Sequence, residues 1–255
     1  MNHSKIQVSI VTNNFSDAVK EEMWAIYQNY YHYTRDSFMA RVAGNNYYSF
    51  YTLNGKIIGF TGLRISRAVI DSRKHLFIYF GQTVIDKAHR GKSLIPVTGA
   101  RLYLMFWREI LSSRTFFWAD ALTYKAYLVF AKSLEEFYPT YQQKNPENIQ
   151  KVIDYIGQEH YGKDYNFGLG TVSKDQVLVN DPCASIPLKY RKDPDIRFYV
   201  QANPGHTRGQ GLITLAPLSG TNFMKLARRL MMKAVKASLP VFFRAERKGT
   251  RLAGN

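Results

Sequence analysis

A chain of 255 residues, 45% hydrophobic and 21% charged, has the composition of a globular protein and is long enough to bury a core. Its single cysteine excludes an internal disulfide, and no apolar run is long enough to span a bilayer. The formal net charge of +16 suits an anionic partner, whether nucleic acid, anionic lipid, an acidic protein or a phosphate-rich small molecule, and by itself selects none of them.

The opening MNHSKIQVSIVTNNF lacks a basic segment followed by an apolar run, so no signal peptide is expected and a cytoplasmic location is the default. Within it, residues 5–12 alternate polar and apolar and predict a first strand. Ser16 and Asp17 begin a helix that runs through Met23, Trp24, Ile26 and Tyr27 to about Tyr30. A second short helix covers Asp36 to Ala43 and ends at Gly44, expected as a left-handed cap. Tyr30, Tyr31 and Tyr33 between these helices either pack them on a sheet or line an apolar pocket. YYSFYTL-NG-KIIGFTGLRI then reads as two strands around an Asn54–Gly55 turn, since that pair accepts the positive φ angles a tight hairpin needs.

HLFIYF, from His75 to Phe80, is rich in β-branched and aromatic residues and continues as a strand into Thr83, Val84 and Ile85. The chain then turns basic through Lys87, His89, Arg90, Gly91, Lys92 and Ser93 before Leu94, Val97, Ala100, Leu102, Leu104 and Met105 recur at helical spacing, predicting a helix to about Leu111. A strand, a basic glycine-containing turn and a helix N-terminus together make an anion cradle, because the first helical N–H groups have no intrahelical partner. This segment resembles the cofactor-binding motif of the GNAT acyltransferase superfamily, a hydrophobic strand followed by R/Q-x-x-G-x-G/A running into a helix. Val84 falls at the strand exit, Arg90 at the R/Q position, Ser93 at the first glycine and Ile95 at the second glycine or alanine. Ser93 is small and suited to capping the helix, whereas Ile95 puts a branched side chain where a pyrophosphate would approach.

The resemblance implies an α/β fold, a mixed sheet flanked by helices, with two neighbouring strands splayed around the pantetheine arm of an acyl donor. It places Gln82, Thr83 and Val84 against the pantetheine, and Arg90, Gly91, Lys92, Ser93 and Leu94 around the phosphates. Downstream, Thr115 to Leu122 reads as the partner strand, followed by the stretch TYKAYLVFAKSLEEFYP over residues 123–139. That stretch resembles the next element of the family, with Thr123 at an asparagine, Ala126 at an alanine and Phe130 at the tyrosine that often serves as general acid. Phenylalanine donates no proton, which leaves Tyr124 and Tyr127 as the nearest phenols, each equally suited to packing. Asp120, flanked by FFWA and AL, is the carboxylate expected to act as base with a pKa raised by burial, or else a polar residue at a strand end.

Asn145–Pro146–Glu147 starts a helix whose Ile149, Val152, Ile153 and Ile156 share a face and which ends near Gly162. Residues 163–195 read as loop with a short strand at 176–179, and Cys183 lies there in a proline-bounded segment without a nearby histidine. IRFYVQA (196–202) and GLITLAP (211–217) predict a late hairpin closing the sheet, with His206 in its connecting loop. A basic amphipathic helix starts near Ser219 to Thr221, with Phe223, Leu226, Ala227, Leu230, Met231 and Ala234 on one face. The histidines are scattered and the cysteine has no companion, so no metal site is expected.

Residues 1–240 are therefore expected as a single domain, with a 5–140 core, a 141–195 helix-and-loop insertion, and a 196–240 closing hairpin and terminal helix; 241–255 form a basic tail. The resemblance implies an acyltransferase moving an acyl group from a thioester donor, acyl-CoA or acyl carrier protein, to an amine acceptor. The competing expectation is a catalytically silent basic module that binds nucleic acid or an anionic membrane.

Overall fold

The computed structural model describes residues 5–174, 176–178 and 185–238. In chain order, β1 (Gln7–Thr12) and α1 (Asp17–Tyr27) are followed by the short β2 (Tyr31–His32) and α2 (Arg35–Ala43). β3 (Tyr47–Leu53), β4 (Lys56–Ile70) and β5 (Arg73–Ile85) form a meander, and α3 (Leu94–Met105) with α4 (Trp107–Ser112) crosses back to β6 (Arg114–Ala121). Next come α5 (Tyr124–Ser133), α6 (Glu147–Tyr161), and the short β7 (Tyr165–Asn166), β8 (Thr171–Ser173) and β9 (Val177–Leu178). α7 (Pro194–Ala202), β10 (Gln210–Pro217) and α8 (Gly220–Ser238) complete the order. The main sheet has eight strands in the order β1-β3-β4-β5-β6-β10-β8-β7, while β2 pairs with β9. β5 and β6 pair parallel and the other neighbours antiparallel, so the sheet is mixed. From β1 to α5 the elements follow the order that the resemblance implies.

Strand alternation divides the core between the two faces of the sheet. Leu76, Ile78, Phe117 and Ala119 turn towards α5 and α7, where Tyr127 and Tyr199 are buried. Phe77, Tyr79, Phe116 and Trp118 turn the opposite way, onto Ile149, Val152, Ile153 and Ile156 of α6. On that second face, Met23, Tyr27, Phe38 and Val42 of α1 and α2 cover Tyr48, Phe50 and Phe60. The Asn54–Gly55 turn takes φ of 51° and 77°, as the hairpin requires.

Two irregularities shape the middle of the sheet. A register shift in the β4–β5 ladder sets Gln82 and Thr83 against Thr61, and Gln82 takes a φ of 47°. The parallel ladder of β5 and β6 ends at Tyr79 opposite Trp118, although β5 continues to Ile85 and β6 to Ala121, where it still pairs with β10. The sheet therefore opens between the ends of these two strands.

Several expectations are corrected. Residues 196–202 are helical, because Asp193 accepts a hydrogen bond from the Asp195 N–H at 2.9 Å and Pro194 opens the first turn of α7. The closing hairpin is thus absent, and β10 pairs instead with β6 and β8. Gly44 ends α2 in the right-handed region, at φ −75°. The helix expected from Leu94 to Leu111 breaks at Phe106, with φ −111° and ψ 17°, into α3 and α4. Pro146, expected at the first helical position, caps α6 from just outside its first turn. In the 163–195 segment the short strand expected at 176–179 is present as β9, and β7 and β8 add two more. In α8, Leu226 is buried and Phe223 stacks on Tyr103 at 4.5 Å, but Met231 points outward at 66% exposure. Cys183 and residues 241–255 lie outside the described residues. Among those described, no helix is long and apolar enough to cross a membrane.

Candidate functional site at the strand opening

On the α3–α5 face, the turn after β5 is held by Asp86, whose carboxylate accepts from the Ala88 N–H at 2.8 Å. Gly91 and Ser93 both take left-handed φ, 76° and 60°, and bring the chain sharply into α3. Ser93 makes no side-chain cap bond to the helix, contrary to expectation, because its left-handed backbone is not the extended one a capping residue needs. Gly91, Lys92, Ser93 and Leu94 line a cavity of about 240 Å³ together with Lys125 and Arg229. Arg90 is turned away from that cavity: its Nε donates to the Ile85 carbonyl at 2.8 Å and its guanidinium lies 4.8 Å from the Tyr30 ring. Ile95 and Pro96 border both this cavity and a smaller apolar one of about 60 Å³, reached by Phe80, Phe117 and Phe130. Phe130, at the position of the family's tyrosine, thus presents only hydrocarbon there.

Gln82, Thr83 and Val84 lie on the strand opening, but their side chains are committed elsewhere. The Gln82 Oε1 accepts from the Tyr48 hydroxyl at 2.6 Å and from Asn45 Nδ2 at 3.1 Å. Thr83 Oγ1 donates to Thr61 Oγ1 at 3.2 Å, and Val84 is buried among the aromatics under α1. What these residues offer to the opening is backbone.

On the α2–α6 face a polar cavity of about 450 Å³ opens beside Tyr79 and Gln82, with Arg41, Arg64, His160 and Lys174 in its walls. Asp120 lies buried at its base and accepts from the Tyr79 hydroxyl at 2.9 Å, from the Tyr161 hydroxyl and from the Lys174 ammonium. Burial opposes the Asp120 charge, but Lys174, Arg41 and these hydrogen bonds outweigh it, and the carboxyl is held below its ordinary range. The expectation of a raised pKa is therefore overturned: Asp120 is an ion-paired carboxylate. Burial draws Lys174 down to about 8, with Asp120 pulling the other way. Tyr79 and Tyr161 are pushed up, first by burial and then by Asp120, and remain protonated donors.

The two arginines are placed by neutral partners. Arg41 Nη1 donates to Gln176 Oε1 at 2.7 Å, the same oxygen that accepts from the Tyr27 hydroxyl. Arg64 Nε donates to the Gly44 carbonyl at 2.9 Å, and its Nη1 lies 3.2 Å from His160 Nδ1. Burial and the Arg64 charge lower His160 to about 4, so the ring is neutral and its Nδ1 accepts; the ring also stacks on Trp118 at 5.2 Å.

Tyr124 and Tyr127 do not meet Asp120. Both are buried in the core of the opposite face, and the Tyr127 hydroxyl donates to the Pro139 carbonyl at 3.0 Å. The phenols at Asp120 are Tyr79 and Tyr161. Strand alternation was a usable signal for Tyr79, two residues from Phe77 on the same face, but nothing local marks Arg41, Arg64, His160, Tyr161 or Lys174. Among the described residues no group of three His, Cys, Asp or Glu is placed to hold a metal ion.

No protein-family model and no curated protein matches the chain. Solved structures similar to it include an aminoglycoside acetyltransferase from an uncultured soil metagenomic sample in complex with sisomicin (13% identity, 56% of this chain and 93% of that one, TM-score 0.38). Another is a possible acetyltransferase from Clostridium difficile 630 (13% identity, 63% and 93% covered, TM-score 0.33). A third is a GCN5-related glucosamine N-acetyltransferase region of a fungal multi-domain β-N-acetylglucosaminidase (15% identity, 61% and 21% covered, TM-score 0.39). Likenesses this remote carry nothing about chemistry, which has to come from the site itself.

Proposed function

We propose that this protein transfers an acyl group from a thioester donor to an amine acceptor, with the donor on the α3–α5 face and the acceptor on the α2–α6 face. One observation carries the reading: two cavities of opposite character flank the opening between β5 and β6, one beside Phe80 and the other beside Tyr79, adjacent residues that point to opposite faces. A thioester reaching the opening from one side would meet an amine arriving from the other. The donor is coenzyme A-borne or carried as acyl-phosphopantetheine on an acidic carrier protein. Its phosphates would meet the N–H groups around Gly91 to Leu94 together with Lys92, and its pantetheine would run along the backbone of Gln82 to Val84.

In the reaction the amine nitrogen attacks the thioester carbonyl, the carbonyl electrons move to oxygen and return, and the C–S bond breaks. Amine and thioester become amide and thiol, and the proton lost by nitrogen balances the one gained by sulfur. Backbone N–H groups along the distorted end of β5 would stabilise the oxyanion. The Asp120–Lys174 pair stands on the acceptor side, and burial draws the lysine below its ordinary range, the direction a general base requires. Tyr79 and Tyr161 fix the carboxylate that holds this lysine.

The test is thermal stability with coenzyme A, a series of acyl-CoAs and ATP as phosphate control, followed by thiol release with amine mixtures. A ligand that binds only the folded state raises the midpoint by mass action. A shift with acyl-CoA and none with ATP supports the donor site, and thiol release that disappears in Lys174→Met while that variant keeps the acyl-CoA shift supports the chemistry. If neither acyl-CoA nor an acylated carrier protein shifts the midpoint, acyl transfer fails. The silent module is then the reading to pursue, recognised by nucleic-acid or vesicle binding that weakens steeply with salt.

A further inference from the structure

We propose that the acceptor amine carries an anionic group, a carboxylate or a phosphate, which Arg41 and Arg64 receive in the polar cavity. The identity of this ligand as the acceptor rests on the acyl-transfer reading; the anion site itself does not. The charged groups facing the cavity are Arg41, Arg64, Lys174 and Asp164, with Asp120 at its base, and His160 is neutral. Lys174 and Asp120 answer each other. Asp164 is exposed at the rim. The two half-buried guanidiniums remain, and among the described residues neither is in a salt bridge. Arg41 is bonded to an amide oxygen and lies 5.5 Å from the Tyr33 ring. Arg64 is bonded to a backbone carbonyl and an imidazole nitrogen and lies 5.3 Å from the Tyr79 ring.

The neutral partners orient both side chains. Asp120 attracts Arg41 from a distance, but its carboxylate is ion-paired with Lys174, and Arg64 has no such anion among the described residues. Two like charges sharing a cavity repel, and a guanidinium presents a planar fork of donors matched to carboxylate and phosphate oxygens. An anion between them relieves the repulsion and takes up the remaining donors. The cavity, about 450 Å³, suits a small molecule, and its positive character disfavours a polycationic amine. Arg41 and Arg64 would thus select the acceptor, while the Lys174–Asp120 pair handles its proton.

The test uses the full chain without acyl donor and reads the thermal midpoint against matched amines. Glucosamine 6-phosphate is compared with glucosamine, γ-aminobutyrate with butylamine, and spermidine serves as polycation. The anionic member of at least one pair should raise the midpoint, and which pair responds tells phosphate from carboxylate; the neutral amines and spermidine should not. Arg64→Met should weaken that binding about tenfold or more, and Arg64→Lys should retain part of it. Arg41 is the more enclosed of the two, so Arg64, with solvent on one side, is the deciding variant should Arg41→Met fail to fold. Equal shifts with neutral amines, binding unchanged in Arg64→Met, or no shift with either anionic amine would overturn the proposal. Thiol release separates the two readings. Anionic amines that bind but are never acylated leave the anion site and remove acyl transfer. Neutral amines acylated in preference to anionic ones do the reverse.

Discussion

Asp120 and Lys174 illustrate how a buried charge pair binds its two members to one fate. Each side chain is almost fully enclosed, so removing one takes from the other its ion-pair partner and a buried hydrogen bond. Asp120→Asn should destabilise the protein by about 3–5 kcal/mol, and the Asp120→Asn, Lys174→Met double variant should recover much of that loss, measured by urea unfolding. A double variant no more stable than the single one would mean the cost lies in the Tyr79 and Tyr161 hydrogen bonds instead. Asp120 was legible in the sequence as a carboxylate inside an apolar strand, but the direction of its pKa was not. That direction depends on a lysine 54 residues away in a connecting loop, and local composition carries no trace of it. His160 gives the corresponding pH signature. Its folded pKa is about 4 against an ordinary 6.5, so the unfolded chain binds more protons between those values. Stability from this group is complete above 6.5 and is lost as pH falls towards 4. Thermal midpoints measured from neutral pH down through that window should fall more steeply for the wild type than for His160→Asn, in which the titrating ring is gone. Parallel curves would show that His160 accepts its proton in the folded state as readily as in the unfolded one.

At the scale of elements, the sequence was most readable where a turn has a single steric solution. Asn54–Gly55 forces one hairpin register, and the strands on either side follow from it. Gly55 sits at φ +77° with open space around the position of a Cβ, so Gly55→Ala should cost about 1 kcal/mol from backbone strain alone, read from the urea midpoint. α7 was misread for the complementary reason. IRFYVQA has strand-like composition, and only the Asp193–Pro194 pair before it announces a helix, through a cap and a proline that needs no N–H partner in the first turn. Ile196 and Tyr199 are then buried three residues apart, a spacing that a strand would send to opposite faces. Asp193→Ala should lower stability by about 1 kcal/mol, chiefly through the lost cap, since the Lys132 pair beside it is largely exposed. Were circular dichroism to show no helix loss and unfolding no change, α7 would owe its form to burial alone. The opening between β5 and β6 lies between these cases. The resemblance implied it, whereas the register shift that displaces Gln82 depends on pairing with Thr61 and is invisible in either strand by itself.

For the whole molecule, the sheet separates two environments that lie on opposite sides of its opening. The α2–α6 side concentrates charge in a polar cavity, and the α3–α5 side holds a cavity at the Gly91–Leu94 turn beside a smaller apolar one. With Pro96, Val129 and Ser133, Ile95 borders both the turn cavity and the apolar slot beside Phe80 and Phe130. If coenzyme A is the donor, its pantetheine would pass along this border. Ile95→Ala should then join the two cavities and tighten coenzyme A binding about tenfold, seen as a larger thermal shift at fixed ligand concentration. Alanine keeps the helix propensity of α3, and the partly exposed position limits the loss of buried apolar surface, so the unliganded midpoint should fall only slightly. A variant that gains no coenzyme A affinity, yet is acylated or stabilised as well as the wild type by an acyl-phosphopantetheine on a carrier protein, would assign Ile95 a different task. It would then form the wall against which a protein-borne arm is held, while the nucleotide end of coenzyme A finds no seat. Arg90 bears on the same choice: its guanidinium is already engaged by Tyr30 and the Ile85 carbonyl, so donor phosphates would rely on Lys92 and the backbone of the Gly91–Leu94 turn. Lys92→Met should therefore weaken donor binding more than Arg90→Met does once the two are corrected for their own stabilities, and the reverse order would show that Arg90 leaves Tyr30 when the donor arrives.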